Sequence, residues 1–256
     1  MQLQEVIAIV TGGASGMGEA TVRHITAAGG KAIIFDMNEE KGEALAKELG
    51  ENSTLFLKTN VSDADGVEGN LALALERFGA VNVVINCAGI ATPGKVLSKK
   101  GPHSLAQFEQ VLQVNLVGTF NMIRLAATAM QHNEADEDGQ RGIIINTASV
   151  AAYEGQIGQA AYSASKGGIV GMTLPIAREL ASIGVRVMTI APGLVETPLF
   201  AGLPENAQKA LAELTPFPNR LGKPSEYAQL VESIIQNTML NGEVIRLDGA
   251  VRLQPK

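Results

Sequence analysis

Seven short runs of apolar, largely β-branched residues recur along the chain, and longer segments with helical periodicity separate them. The runs show no alternation of apolar and polar residues, which is typical of strands buried on both faces. They cover residues 6–10, 31–35, 55–57, 81–85, 142–146, 186–190 and 243–247, and the main helical segments cover about 17–28, 63–78, 105–130, 162–181 and 225–236. This order predicts an α/β fold, a Rossmann-type doubly wound domain whose seven-stranded parallel sheet is flanked by helices on both faces. No linker or repeat divides the pattern, so we expect one domain over residues 1–256.

A glycine-rich turn follows the first apolar run directly. Between Thr11 and Gly18 the chain has glycines at positions 12, 13, 16 and 18, and a helical pattern begins at about Met17. Glycines permit a tight turn, and they let backbone N–H groups approach a pyrophosphate at the positive end of a helix. A glycine cluster alone is often only a loop. Its place between a strand and a helix predicts dinucleotide binding.

Asp36 ends the second apolar run, about 20 residues beyond the glycines, where an acidic side chain accepts hydrogen bonds from the adenosine ribose of a dinucleotide. Its charge would repel a 2'-phosphate, and neither the glycine turn nor Met37 supplies a cation for that phosphate. We therefore expect NAD rather than NADP. The alternative is that Asp36 only caps the helix that starts near Glu39.

Small and polar residues follow the next two runs, where a parallel sheet gathers ligands. Asn60 and Val61 come after the third run, and Cys87, Ala88 and Gly89 come after the fourth. The small residues at 88 and 89 would let a cofactor lie against the backbone. Cys87 is interpreted as a buried filler rather than a reactive thiol.

Tyr162 and Lys166 lie four residues apart on a predicted helix, so both side chains project from one face. A free phenol has a pKa of about 10, and a nearby cation favours the phenolate and lowers that value. Ser149, just past the fifth run, supplies a hydroxyl that can hold a reacting oxygen. Tyr-x-x-x-Lys also occurs by chance, but here it converges with the glycine turn and predicts acid-base catalysis.

Composition narrows the function further. The chain of 256 residues has 46% hydrophobic residues and a net charge of -6, which argues against nucleic acid as a partner and favours a small-molecule substrate. Its single cysteine excludes an internal disulfide, and three scattered histidines show no metal-ligand spacing. No apolar stretch reaches the roughly 18 residues of a membrane span. No signal or transit pattern is visible, so we expect no membrane partner and a cytoplasmic location.

Two loops have open interpretations. The loop 92–103 contains Lys95, Lys99 and Lys100, which form either a solvated surface or a contact for the phosphates of a coenzyme A substrate. Residues 194–217 are irregular and rich in Leu, Phe and Pro, which suits either a substrate lid or a subdomain that only packs.

Together these motifs resemble the short-chain dehydrogenase/reductase family along the whole chain. The match rests on the glycine turn of residues 11–18, Asn86-x-Ala88-Gly89, Asn115, Ser149, Tyr162-x-x-x-Lys166, and Pro192-Gly193 with Thr197. Residues 144–156, 167–178 and 242–249 are similar to the branch of the family that reversibly oxidises 3-hydroxyacyl-CoA, whose members are also classed as hydroxysteroid dehydrogenases.

The resemblance implies NAD dependence, no metal and a homotetramer. It implies that Ser149, Tyr162 and Lys166 are catalytic, that Gln156 lies beside them, and that Asn115 anchors a proton-relaying water. The cofactor residues that it implies are Gly12, Ser15, Gly16, Met17, Gly18, Asp36, Asn60, Val61, Cys87, Ala88, Gly89, Tyr162, Lys166, Pro192, Gly193, Val195 and Thr197.

One departure from the family pattern, one alternative location and two rival functions remain. Asn60 stands where relatives commonly have Asp, with a modest loss of affinity for the adenine amino group. Relatives of the branch in animals are mitochondrial, so the mitochondrial matrix is the alternative location. An NAD-dependent steroid or other secondary-alcohol dehydrogenase is the nearest rival in function, and a non-catalytic NAD-binding scaffold is a more distant one.

Overall fold

The computed structural model describes residues 1–197 and 212–255. Seven of its strands form one parallel sheet, and two short strands form a separate antiparallel hairpin. In chain order the strands are β1 (Ile7–Thr11), β2 (Lys31–Asp36), β3 (Thr54–Lys58), β4 (Val83–Asn86), β5 (Leu97–Ser98), β6 (Gly101–Pro102), β7 (Gly142–Thr147), β8 (Val185–Pro192) and β9 (Val244–Leu247).

Helices connect the strands of the main sheet. They are α1 (Gly16–Ala27), α2 (Glu39–Leu49), α3 (Ala64–Phe78), α4 (Leu105–Leu112), α5 (Gly118–Met130), α6 (Ala160–Leu180) and α7 (Pro224–Gln236). Side chains at their N-termini show why several begin where they do: Asn38 accepts a hydrogen bond from the backbone of Lys41 at α2, and Asp63 accepts one from Gly66 at α3. Gly79, in the left-handed conformation with φ 81°, ends α3.

The strand order of the main sheet is β3-β2-β1-β4-β7-β8-β9. The order reverses between β1 and β4, which run in parallel with Thr11 beside Asn86. In doubly wound sheets, ligands bind at this reversal, beyond the carboxyl ends of the strands. The glycine turn follows β1 and residues 87–89 follow β4, so the topology brings the two segments together.

Both faces of the sheet are buried. Ile34, Ile85 and Ile145 point into one apolar core, which includes side chains of α1 and α7. Their neighbours along the strands, Ile33 and Ile144, point into a second core on the opposite face, with side chains of α3, α5 and α6. Successive residues of a strand point to opposite faces, so a strand covered on both sides is apolar at every position. This explains the missing alternation in the sequence.

The predicted α/β fold with seven parallel strands is confirmed, and the element bounds differ by one or two residues at most strand ends. The helix predicted over 105–130 is interrupted by a π-helical segment, Gln113–Val117. The hairpin of β5 and β6 inside the loop 92–103 was not predicted. Of the predicted lid, residues 198–211 lie outside the described residues.

Candidate active site

A cavity of about 750 Å³ opens beyond the carboxyl ends of the central strands. All the residues that the sequence predicts to bind a cofactor line it, from Gly12 in the glycine turn to Thr197 after β8. Among the described lining residues, only Asp36 and Lys166 are charged. The cavity therefore has one acidic side chain, at the end of β2, and one basic side chain, on α6.

Glycine is required in the turn after β1 because the backbone approaches itself and β4 closely. Gly12 has φ 62°, and a Cβ atom there would lie 2.9 Å from the backbone nitrogen of Ala88. A Cβ atom at Gly18 would lie against the backbone oxygen of Gly12. The absence of side chains at these positions leaves the cavity open against the backbone.

The N-terminus of α1 faces this cavity. Ser15 occupies the N-cap position in an extended conformation, and its side chain makes no capping hydrogen bond. Ser15, Gly16 and Met17 all line the cavity. The first N–H groups of a helix have no partner within the helix and carry a partial positive charge, so this end suits an anionic group such as a phosphate.

Asp36 is fixed by two backbone N–H groups. Its Oδ2 accepts from Ala14 at 3.0 Å and its Oδ1 accepts from Asn38 at 2.9 Å. The first bond ties β2 to the glycine turn. The N-cap of α2 is Asn38 and not Asp36, so the interpretation of Asp36 as a helix cap is wrong. Each carboxylate oxygen can accept a further hydrogen bond, and Asp36 lines the cavity.

Ser149 and Tyr162 are neighbours at the opposite end of the cavity. Ser149 caps the short 3₁₀ turn Val150–Ala152, where its Oγ accepts from the backbone N–H of Ala151 at 3.1 Å. Burial raises the pKa of the Tyr162 phenol above its usual value of 10.0, and a hydrogen bond with Ser149 opposes this rise. The phenol is therefore protonated at neutral pH.

Lys166 lies deep behind Tyr162. Its side chain is 4% exposed, and its Nζ donates to the backbone oxygen of Thr147 at 2.7 Å. Burial lowers the pKa of Lys166 from 10.5 to about 8, because desolvation disfavours the ammonium form. The Nζ is 5.7 Å from the centroid of the Tyr162 ring. The predicted lowering of the Tyr162 pKa by Lys166 is therefore wrong in this structure, where burial of the phenol dominates.

Asn115 is fully buried in the π-helical segment. Its Oδ1 accepts from the backbone N–H of Ile90 at 2.8 Å, and its Nδ2 donates to the Ile90 oxygen and to Ser165 Oγ. A Cβ atom at Gly89 would lie 3.3 Å from the same amide. Asn115 thus ties the chain after β4 to α6, and a π-bulge often occurs at such functional positions. Both hydrogens of its Nδ2 are engaged in these bonds and neither is available to a water molecule. The predicted proton-relaying water therefore stays a prediction.

Gln156 does not line the cavity that Ser149, Tyr162 and Lys166 line, so its predicted place beside them stays a prediction. Its Nε2 donates to the backbone oxygen of Gln254 at 3.1 Å. The reason is that the loop before α6 packs on the C-terminal residues. Sequence proximity to Ser149 and Tyr162 could not reveal this contact.

A buried pair behind the site was missed by the sequence analysis. The Oγ1 of Thr147 and the hydroxyl of Tyr227, from α7, lie 2.8 Å apart, and the Sγ of Cys87 lies 3.5 Å from the Tyr227 hydroxyl. Cys87 is half-buried and lines the cavity, so it is not the fully buried filler that the sequence predicts. Desolvation raises the pKa of its thiol, which agrees with the prediction that it is not reactive. Thr147 holds Lys166 through a backbone oxygen, which every residue type has. No sequence signal could have identified it.

Two of the three lysines of the loop 92–103, Lys99 and Lys100, lie in the turn between β5 and β6, and Lys95 precedes β5. All three are exposed to solvent, and the backbone N–H of Gly94 donates to the oxygen of Gly158 at 2.8 Å. The start of the loop 92–103 therefore contacts the loop that leads to Tyr162. Among the described residues, no group of three or more His, Cys, Asp or Glu side chains could hold a metal, and no helix is long and apolar enough to cross a membrane.

A parallel sheet with a glycine turn at its reversal, beside Ser149, Tyr162 and Lys166, defines a dinucleotide-dependent oxidoreductase that acts on CH-OH groups. The family model described as short chain dehydrogenase matches residues 6–208, and the chain belongs to this family.

Three similar proteins share nearly the whole chain. A human protein named 3-hydroxyacyl-CoA dehydrogenase type-2 is 59% identical over 252 residues, 98% of this chain and 96% of the relative. A Drosophila melanogaster protein of the same name is 51% identical over 99% of this chain and 100% of its own length. The crystal structure of 3-hydroxyacyl-CoA dehydrogenase type-2 from Mycobacterium avium has a TM-score of 0.95 and 42% identity, covering 99% of this chain and 98% of that one.

Proposed function

We propose that this protein reversibly oxidises the C3 hydroxyl of a 3-hydroxyacyl-CoA to the 3-ketoacyl-CoA, with NAD as the hydride acceptor. The observation that carries the proposal is one cavity with Asp36 at one end and Tyr162, Ser149 and Lys166 at the other. The substrate class comes from the name shared by relatives that are 59% and 51% identical to this chain.

The residues at the glycine end fit a dinucleotide. The backbone of Gly12 and Gly18 leaves no room for a Cβ atom, and the uncapped N-terminus of α1 offers N–H groups to a pyrophosphate. Asp36 presents acceptors for ribose hydroxyls. Met37 is 59% exposed beside it, and no described basic residue lines this end of the cavity. This distribution of charge favours NAD over NADP.

Each residue at the opposite end has a separate task in the proposed reaction. The bound nicotinamide supplies the site that accepts or releases the hydride. In oxidation, Tyr162 takes the proton of the substrate hydroxyl, and in reduction it returns a proton to the same oxygen. Ser149, whose backbone is fixed by the turn it caps, donates a hydrogen bond to this oxygen where charge develops. Lys166 holds its ammonium group near Tyr162 while Thr147 fixes its direction.

The direction of the phenol pKa bears on which half-reaction is easier. Because burial keeps Tyr162 protonated at neutral pH, the residue is ready to act as a general acid in reduction of a ketone. Oxidation needs the phenolate, which higher pH favours. The proposed reaction is therefore reversible, with reduction favoured at neutral pH and oxidation at alkaline pH.

Replacement of Tyr162 tests the chemistry. Tyr162→Phe removes only the hydroxyl, so turnover should fall by about 10³-fold or more while NADH binding stays nearly intact. Ser182→Ala is the matched control, because it also removes one hydroxyl, from an exposed residue in the turn Ala181–Ile183 after α6. Turnover is followed by NADH absorbance, and binding by NADH fluorescence. Residual turnover above a tenth of the parent value would refute the role of Tyr162.

A comparison of substrates tests the substrate class. Acetoacetyl-CoA and a steroid ketone are reduced in parallel by the same preparation. Turnover of acyl-CoA thioesters supports the proposal, and we infer that the exposed Lys95, Lys99 and Lys100 then contact the phosphates of coenzyme A. Failure with every acyl-CoA and activity with the steroid would favour the secondary-alcohol dehydrogenase instead.

Assembly and location are also part of the proposal. We infer a homotetramer, supported by exposed apolar side chains on one helical region, where Phe120 is 50% and Val117 is 43% exposed. The cytoplasm, with the mitochondrial matrix as alternative, is the proposed location. Participation in β-oxidation of fatty acids follows only if the acyl-CoA activity is found.

A further inference from the structure

The loop between Ser149 and Tyr162 is held from outside the cavity. Residues 153–159, the Ser–Tyr loop, join the turn capped by Ser149 to α6, which carries Tyr162. Both proposed catalytic hydroxyls therefore lie next to its ends. A shift of this loop would change the space in which a substrate meets them, because a short connection transmits its displacement to the residues that flank it.

Glu154, near the start of the Ser–Tyr loop, is bound by two arginines. Its two carboxylate oxygens accept from Arg246 at 2.8 and 2.9 Å, and Arg252 Nε lies 3.4 Å from Oε1. Arg246 comes from β9, and Arg252 from residues 251–255, the C-terminal segment. One carboxylate thus connects the loop, the last strand and the C-terminal segment.

A second acid completes the cluster. Asp248 Oδ2 accepts from Arg246 at 2.7 Å and from Arg252 at 3.1 Å. The guanidinium of Arg246 also lies 5.2 Å from the centroid of the Tyr153 ring, at the first residue of the loop. Two acids and two arginines therefore form a neutral network between the Ser–Tyr loop and the C-terminal segment.

Two further bonds join the loop to the C-terminal segment. The backbone N–H of Ile157 donates to the oxygen of Pro255 at 3.0 Å, and Gln156 Nε2 donates to the oxygen of Gln254 at 3.1 Å. On its other flank, Gly158 accepts a hydrogen bond from the backbone N–H of Gly94, in the loop 92–103 ahead of β5. The Ser–Tyr loop therefore lies between the loop 92–103 and the C-terminal segment.

The network is stronger than an ordinary surface ion pair. The side chains of Glu154, Arg246 and Asp248 are 22%, 23% and 9% exposed, and the pair of Arg246 with Glu154 is bidentate. Partial burial and bidentate geometry strengthen such contacts, whereas an isolated exposed pair contributes little. Val251, at the start of the segment, is fully buried and anchors it to the fold.

We propose that the C-terminal segment is a positioning element of the active site, which holds the Ser–Tyr loop in place for the substrate. The proposal rests on the proposed dehydrogenase function, and it names a regulator of substrate binding at that same site. The glycine turn and Asp36 make none of the contacts described for the C-terminal segment. Loss of the segment should therefore weaken substrate binding while cofactor binding is retained.

Two variants test the proposal in the full chain. Glu154→Gln removes the charge at the centre of the network, and a stop codon after Val251 removes Arg252 and the residues beyond it. Glu48→Gln is the control, since Glu48 forms a bidentate pair with Arg23 far from the site. We expect both test variants to raise KM for acetoacetyl-CoA about 10-fold and to change kcat less than about threefold. The dissociation constant of NADH should stay within about twofold of the parent.

The combined variant adds a second kinetic criterion. Because Glu154 and the C-terminal segment act through the same contacts, the combined variant should raise KM no more than the truncation alone. Kinetic constants within about twofold of the parent in both single variants would overturn the proposal. A loss of NADH affinity as large as the rise in KM would also overturn the proposal, because it would show that the segment stabilises the whole fold rather than the Ser–Tyr loop.

Hydrogen exchange decides the proposal independently of the substrate. In the truncated chain, the amide of Ile157 and its neighbours in the Ser–Tyr loop should exchange about 10-fold faster or more, while the amides of β1 keep their protection. Unchanged exchange in the loop would overturn the positioning role. If the parent protein does not reduce acetoacetyl-CoA, the proposed substrate class fails, and the exchange measurement still decides this inference.

Discussion

In the proposed function the choice of cofactor depends on Asp36, and Asp36→Asn tests this assignment most directly. The two carboxylate oxygens of Asp36 accept from different backbone N–H groups, those of Ala14 and Asn38, at 3.0 and 2.9 Å. An asparagine has one acceptor oxygen at this point. The amide nitrogen would therefore face one of the two N–H groups, and both the glycine turn and the acceptors for a ribose would be disturbed.

The size of the effect follows from the hydrogen bonds that the ribose hydroxyls make to Asp36 in the proposed complex. Loss of one hydrogen bond to a charged acceptor costs about 1.5–3 kcal/mol. Because about 1.4 kcal/mol corresponds to a tenfold change in affinity, the dissociation constant of NADH should rise about 10- to 100-fold. Removal of the negative charge acts in the opposite direction on NADPH. Two unit charges about 4 Å apart near a protein surface repel by about 4 kcal/mol before salt screening. The preference for NADH over NADPH should therefore fall about 100-fold or more.

Fluorescence titration with NADH and NADPH, each against parent and variant, measures both effects. Asp65→Asn is the control, because Asp65 is an exposed carboxylate in the first turn of α3. A variant that binds NADH within about twofold of the parent and keeps the parent's preference would refute the assignment of Asp36 to the ribose.

Two further predictions concern pH and stability. Because the pKa of Lys166 is about 8, its ammonium charge is present below that pH and lost above it, while Tyr162 stays protonated. The rate of ketone reduction should therefore be independent of pH near neutrality and fall as the pH rises through about 8. A pH profile of kcat with no decline in that range would contradict the role of Lys166. The second prediction concerns Arg186, which donates to four backbone oxygens at the end of α7, those of Ile234, Ile235, Asn237 and Leu240. Arg186→Met should leave these oxygens unpaired and lower the free energy of unfolding, measured in urea, by about 3–5 kcal/mol. Arg178→Met, at an exposed position of α6, is the control, and a loss below about 1 kcal/mol for Arg186→Met would be inconsistent with this cap.

Much of the site was predictable from local sequence. The glycine turn after β1 and the residues after β4 line one cavity because parallel strands direct their carboxyl ends to one edge, and this direction follows from strand order alone. Tyr162 and Lys166 lie on one helix face because their spacing matches the helical repeat. The family and the kind of enzyme follow from the same motifs.

Other parts of the site depend on contacts between segments that are distant along the chain. The side chain of Asn115 is bonded to the backbone of Ile90 and does not line the cavity, and the side chain of Gln156 is bonded to the C-terminal segment. These partners are backbone atoms, which every residue type has, so the sequence does not reveal them. The pKa of Tyr162 also depends on burial, which raises it, and the helical spacing of Lys166 does not reveal this burial.

By itself, then, the sequence determined the α/β fold, the glycine turn, the acidic end of the second strand and the helical spacing of Tyr162 and Lys166. These features depend on residue type and on separations of a few residues, which backbone geometry converts directly into position. Only the tertiary structure decided which hydrogen bonds Asn115 and Gln156 make, how deeply Lys166 lies, and which segment holds the Ser–Tyr loop. Burial and long-range backbone contacts arise when the whole chain packs, and they set the electrostatics of the site.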